Sequence, residues 1–384
     1  MLNRRTLRVK AMQAMFAFEQ CKEANFNVAI ETLEESFQQD LNSMEIQDPI
    51  ELDTNKKASI ALFKKNVVED PKTDFKSDSE IVSIETEKTF NTYQVQVKKD
   101  FKQVKKQMVV ESEGIYDRYI KILNLLLRFS NFAEQGVGSK KSKVGEQSNL
   151  VNNLLIQYIK NNKELEVLSL KMNLGWNDEI EIIRDWFKEI IVKDPLYVSY
   201  LSEMSSKKND YEILNHIVRK IVFKNESILN YWETLDINWV EDEAVIRSLV
   251  IKTLKSLLEK GKDFELAILS YNWEEDKEFF EKLFESTIKD TVFLQKLIAE
   301  KTKNWEFDRI AYTDRLILML AISEMMHFPS IPIKVTINEF IEVSKTYSTP
   351  KSKQFVNGVL DVIAVDLQEK GLIKKSGRGL IDNK

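Results

Sequence analysis

Ten glycines and six prolines are spread over 384 residues, roughly a third of ordinary usage. Such a chain has few tight turns and no Gly-paved nucleotide loops, so the expected fold class is all-α. A hydrophobic content of 43% is ample for a real core, and the length suffices for two or three domains. The single cysteine, Cys21, cannot form an internal disulfide and fits a reducing interior. His216 and His327 stand 111 positions apart with no cysteine or acidic ligand spacing around them. A metal site, a cofactor and His-dependent nucleophile chemistry are therefore not expected. Acidic pairs such as Glu34-Glu35 and Glu274-Glu275 fall in amphipathic or turn contexts and are read as solvated faces, so no catalytic residue is assigned and the chain is read as a non-enzyme.

The opening Met1-Leu2-Asn3-Arg4-Arg5 leads into a mixed helix rather than an apolar stretch. The longest strong apolar run, 316–322, is seven residues, against about 18 for a bilayer span. A soluble, cytoplasmic protein without membrane contact is the expectation.

Charge is segregated. Residues 1–18 carry Arg4, Arg5, Arg8 and Lys10 and no acid, and residues 301–384 hold 13 Lys/Arg against 10 Asp/Glu. With a total of -5, residues 19–300 are left at -12. Affinity for phosphates depends on local clusters rather than on this average, which directs attention to the two ends.

Apolar spacing predicts helices at 4–20 and 26–42, with further helices near 51–66 and 88–111 flanking a polar stretch, 68–86, read as disordered. After Gly114 a strong helix runs to about 134. Gly136-Val137-Gly138-Ser139-Lys140-Lys141-Ser142 imitates a phosphate loop but lacks the required spacing and a preceding strand, so it is read as a linker. A shift of 66 residues superposes Asp210 on Asp276, Trp239 on Trp305 and Leu254 on Leu320, which suggests an internal repeat. Helices are expected at 307–327, buried nearly all round, and at 334–347, with Val335 among its inward residues. Ser352 is expected to cap a final helix to about 370. Gly358 within it suits close approach of another helix, and the tail after it is read as mobile. The organisation that results is 1–44, a charged and partly disordered insertion at 45–113, a central helical region at 114–290, a C-terminal domain at 291–370 and a flexible tail at 371–384.

Arginines in the first turns of a helix oppose the helix dipole, at about 0.3–1 kcal/mol each. Arg4, Arg5, Arg8 and Lys10 therefore either serve solubility alone or point to an anion, for which guanidinium forks with free helix-start amides suit phosphate oxygens. Tyr347, Lys351, Lys353, Gln354 and Phe355 combine rings, cations and an amide, which suits unpaired bases better than a duplex.

One segment is Arg4-Arg5-Thr6-Leu7-Arg8-Val9-Lys10-Ala11-Met12-Gln13-Ala14-Met15-Phe16. A stronger set is Trp305, Asp308-Arg309-Ile310, the stretch Ile331–Glu339, Ile341-Glu342, Lys345, Tyr347 and Phe355-Val356-Asn357-Gly358-Val359-Leu360-Asp361. At these two places the chain resembles the NusB family of transcription antitermination factors. The resemblance implies a NusB-like helical bundle, here with a large central insertion. It further implies single-stranded boxA-like RNA of nascent rRNA transcripts and the ribosomal protein NusE as partners, with RNA polymerase reached indirectly. Arg4, Arg5, Arg8, Tyr347, Lys351, Gln354 and Phe355 match the RNA-contact positions, and Asn338, Glu339, Asn357, Gly358 and Asp361 read as structural. The rival reading is a helical interaction scaffold that has lost RNA binding and uses the acidic central region.

Overall fold

In the computed structural model the described residues are 2–39, 42, 47–68, 75–136, 148–302 and 309–383. Among them no strand occurs, and no helix is long and apolar enough to cross a membrane. The α-helices are α1 Arg4–Ser36, α2 Pro49–Val68, α3 Glu80–Glu134, α4 Ser148–Val151, α5 Leu154–Lys160, α6 Lys163–Lys171, α7 Ile180–Trp186 and α8 Pro195–Ser202. They continue with α9 Lys207–His216, α10 Glu226–Leu235, α11 Trp239–Lys260, α12 Trp273–Lys289, α13 Thr291–Lys301, α14 Tyr312–His327, α15 Ile333–Tyr347 and α16 Ser352–Glu369.

Several expected boundaries shift for local reasons. The helices expected at 4–20 and 26–42 are one, α1, because Cys21-Lys22-Glu23-Ala24-Asn25 contains no breaker. Likewise α3 begins inside the stretch read as disordered and runs for 55 residues through Gly114. A β-carbon there would stand 3.1 Å from Arg118 Nη1, which donates back to the Gly114 carbonyl at 3.3 Å. That contact helps an interior glycine that would otherwise cost about 1 kcal/mol. The imitation phosphate loop, from Val137 onward, lies outside the described residues, as do Trp305 and Asp308.

The 66-residue shift carries α10 onto α13. The equivalence goes no further than element bounds. Helix α9 passes into a π-helical segment, Ile217–Val222, where α12 stays α-helical, so duplication is not established.

The chain divides into two compact units. One comprises Met1–Arg4 and Val109–Lys277. Its short helices start on side-chain caps that the sequence displays: Asn153 for α5, Asn162 for α6, Asp194 before Pro195 for α8, Ser206 for α9 and Asn225 for α10. Its core is aromatic, with Trp232 stacked on Trp239 at 4.8 Å and Trp176 edge-on to Trp232 at 5.5 Å. Lys121 lies 4.4 Å from the Trp176 ring centre and pairs with Glu179 at 2.7 Å, tying α3 to the start of α7. Burial raises the Glu179 carboxyl, but hydrogen bonds from Lys121 and Tyr231 outweigh it and leave the group below its ordinary 4.5.

The other unit comprises Arg5–Met108 and Glu278–Lys384. Ala29 and Leu33 of α1, Phe63 of α2 and Phe90 and Tyr93 of α3 form one apolar cluster. A second core surrounds α14, whose residues 316–325 are all buried, as the apolar run predicts. Helices α13, α15 and α16 pack on it. On α15, Ile337, Phe340 and Ser344 face inward as expected, whereas Val335 is exposed.

The tail is placed rather than loose. Ser376 N donates to Pro329 O at 3.0 Å and Lys375 Nζ to Phe328 O at 3.0 Å, and a 3-10 helix spans Gly377–Asn383. Gly379 sits against the Pro329 carbonyl in space that a β-carbon would need. Gly358 behaves oppositely to expectation: a β-carbon there would meet nothing within 4 Å, so no helix makes the close approach.

Candidate nucleic-acid interface

The basic residues of α1 divide by depth. Arg4 belongs to the first unit and pairs with Glu275 at 2.6 Å and Asp276 at 3.3 Å. Arg5, in the second unit, is 47% exposed and makes a fork to Glu339 of α15, Nε at 2.9 Å and Nη2 at 3.0 Å. That hydrogen bond raises the Arg5 guanidinium further above its ordinary value than burial lowers it.

Arg8 is only 2% exposed. Its Nε and Nη2 each donate at 2.7 Å to the two carboxylate oxygens of Glu324, itself 0% exposed, on α14. Thr336 of α15 donates to Glu324 Oε1 at 2.7 Å, and Arg8 Nη1 reaches Glu339 at 3.7 Å. The guanidinium also lies 5.4 Å and 5.9 Å from the ring centres of Phe279 and Phe340. A charge this deep is tolerated only when paired and hydrogen-bonded, which Glu324 provides. Arg8 therefore fastens α1 to α14 and α15 and offers no open fork to a phosphate. Lys10 is buried as well. Arg8 and Lys10, expected to contact an anion, are instead both buried. The signal for this placement was in the sequence: Leu7, Val9, Ala11 and Met12 enclose them, and Glu324 is a carboxylate inside an apolar helix that needs a cation.

At α16 the arrangement is different. Ser352 is the first helical residue rather than the cap, and its hydroxyl donates to the buried Asp314 of α14 at 2.7 Å. The hydroxyls of Ser348 and Thr349 lie 2.9 and 2.8 Å from the same oxygen. This hydroxyl knot pins the turn between α15 and α16, and Lys351, at the cap position, has no side-chain cap bond. Lys351, Lys353 and Gln354 are exposed, with Tyr347 and Phe355 half-buried beside them in the chain. Lys351, Gln354, Gly358 and Asp361 recur at helical spacing and are all exposed, forming one strip along α16. The bare backbone at Gly358 leaves that strip flat. Sequence reasoning singled out Lys351 and Gln354 of this strip, read Gly358 and Asp361 as structural and Ser352 as a cap, and missed the Asp314–Ser352 bond that positions them.

Among the described residues no group of three or more His, Cys, Asp or Glu could hold a metal ion. What the exposed start of α16 can do is hold anionic oxygens with Lys351 of the strip and Lys353 next to it, and hydrogen-bond a base edge through Gln354.

The NusB family profile matches residues 244–365, from within α11 to within α16. A Salinibacter ruber protein named transcription antitermination protein NusB is 40% identical over 141 residues, 35% of this chain and 88% of its own length. The chain belongs to the NusB family. Relatives of the same name from Chloroherpeton thalassium and Bacillus velezensis are each 43% identical, over 106 and 90 residues. Those matches cover 28% and 23% of this chain and 50% and 69% of the relatives. No solved structure matches the chain. The NusB match includes the α16 strip and leaves α1 outside, and it begins earlier than the start at 291 expected from the motifs.

Proposed function

We propose that this NusB-family chain is an RNA-binding transcription antitermination factor that acts with NusE on boxA-like single-stranded RNA of nascent rRNA transcripts, and so joins RNA polymerase indirectly. The observation that carries the reading is the exposed start of α16, where Lys351, Gln354 and Gly358 share one face and Lys353 is exposed beside them in the chain, held by the Asp314–Ser352 bond inside the family-matched region. Lysines there hold phosphates, the amide reads an open base edge, and Tyr347 and Phe355 supply ring surface for stacking. Arg5 joins by exchange: its ion pair with Glu339 is solvent-exposed, and such pairs are weak enough for a phosphate to compete. Arg8 and Lys10 act from inside, by placing α1.

Titration of a labelled boxA-like single strand, with and without NusE, tests the reading. Replacing Lys351 and Lys353 by alanine weakens binding and reduces the slope of log affinity against log salt by about one for each phosphate no longer neutralised, with thermal stability unchanged. Affinity equal to that of the unaltered chain would reject it.

A further inference from the structure

Residues 98–106 of α3 hold five lysines, Lys98, Lys99, Lys102, Lys105 and Lys106, against one acid, Asp100, within the stretch whose total charge is negative. This cluster belongs to none of the NusB-like segments. Phe18 of α1, Val97 and Phe101 of α3 and Ile288 of α12 line the floor of a groove of about 360 Å³ within the second unit. Phe101 is stacked on Phe284 at 5.4 Å and Phe18 meets it edge-on at 5.7 Å, so the floor is rigid. Lys98, Lys102 and Lys289 form the rim, all exposed and without an ion-pair partner among the described residues. The remaining lining residue, Glu285, is already committed to Lys105 at 2.5 Å. An apolar trough with three uncompensated positive charges at its edge is left facing solvent.

We propose that this groove docks an acidic amphipathic helix of a protein partner, with one or two bulky apolar side chains in the trough and carboxylates on the rim lysines. Lys98 and Lys102 are one turn apart, about 6 Å along α3, and carboxylates at i and i+4 of a partner helix match that spacing. The floor argues against RNA as the occupant. No amide, hydroxyl or guanidinium lines it, so a base placed there would leave its polar edge unpaired and unhydrated. An apolar side chain has no such penalty and releases water from the phenylalanine surface.

The test uses the full chain and a synthetic amphipathic peptide with two phenylalanines one turn apart flanked by glutamates. Binding is followed by fluorescence anisotropy at low and moderate salt. The unaltered chain binds the peptide, and the triple variant K98E/K102E/K289E loses at least about tenfold in affinity while its circular dichroism is unchanged. Exchanging the peptide's glutamates for lysines, or its phenylalanines for serines, has the same effect on the unaltered chain, which keeps the test valid if the charge-reversed protein does not fold. Peptide affinity indifferent to these exchanges, or absent altogether, overturns the proposal. So does loss of single-stranded RNA binding in the triple variant with peptide binding intact, which would make the groove a nucleic-acid surface. The Lys351 and Lys353 variants leave peptide binding untouched, so failure here is distinguishable from failure of the RNA reading.

Discussion

Arg8 on α1 and Lys353 on α16 are both cations in segments that resemble the same family, each with aromatic residues close by in the chain. In the structure Arg8 sits at 2% exposure with its fork closed on Glu324, while Lys353 stands in solvent at the start of α16, next to Ser352, which Asp314 holds from beneath. One cation holds helices together and the other is available to a ligand. The difference lies in what α14 turns toward each: Glu324 closes on the Arg8 guanidinium of α1, whereas Asp314 accepts from the Ser352 hydroxyl of α16 rather than from a cation. Two further ion pairs fill the scale between these extremes, Lys121–Glu179 partly buried and Arg5–Glu339 exposed.

The sharpest way to break this comparison is Arg8→Ala. It strands Glu324 in the core, and chemical denaturation should register a loss of about 3–5 kcal/mol. Changing Glu324 to Leu in the same chain should recover part of that loss, and a single variant as stable as the unaltered protein would show that the pair is not needed.

Lys121→Met comes next, since it removes a partly buried charge-assisted bond and keeps the stem over Trp176, for about 1.5–3 kcal/mol. Its pH dependence has a definite sign. Glu179 titrates lower in the folded protein than its ordinary 4.5, so its contribution is present above that pH and is lost as pH falls through the folded value. The stability gap between variant and unaltered protein should therefore narrow below pH 4.5 in acid titrations followed by circular dichroism. A gap that is constant from neutral to acid pH would remove the carboxylate from the account.

Arg5→Ala should have the smallest effect on stability, at most about 1 kcal/mol, because an exposed pair gains little over hydration. A larger thermal shift would place Arg5 with Arg8 as a fastener rather than with Lys351 and Lys353 as a proposed RNA contact.

Much of this was legible beforehand. Scarce glycine and proline specified helices, and the run at 316–322 marked the buried helix α14. The blocks at 331–345 and 347–361 pointed to the family, and within the second Lys351, Lys353 and Gln354 were singled out as they stand exposed. Less legible were continuity and depth. Nothing local distinguishes two helices from one when 21–25 contains only helix-tolerant residues, and Gly114 looked like a boundary because its partner Arg118 acts only once the helix exists. The docking of the tail depended on Gly379 meeting the Pro329 carbonyl, a contact between segments 50 positions apart.

By itself the sequence determined the secondary structure class, the family and which residues carry charge, because these follow from local backbone preference and from residue order. Only the tertiary structure decided which of those charges are spent inside the protein. A guanidinium's role depends on whether a carboxylate from a distant helix meets it before solvent does, and for Arg8 that carboxylate is Glu324, 316 positions away.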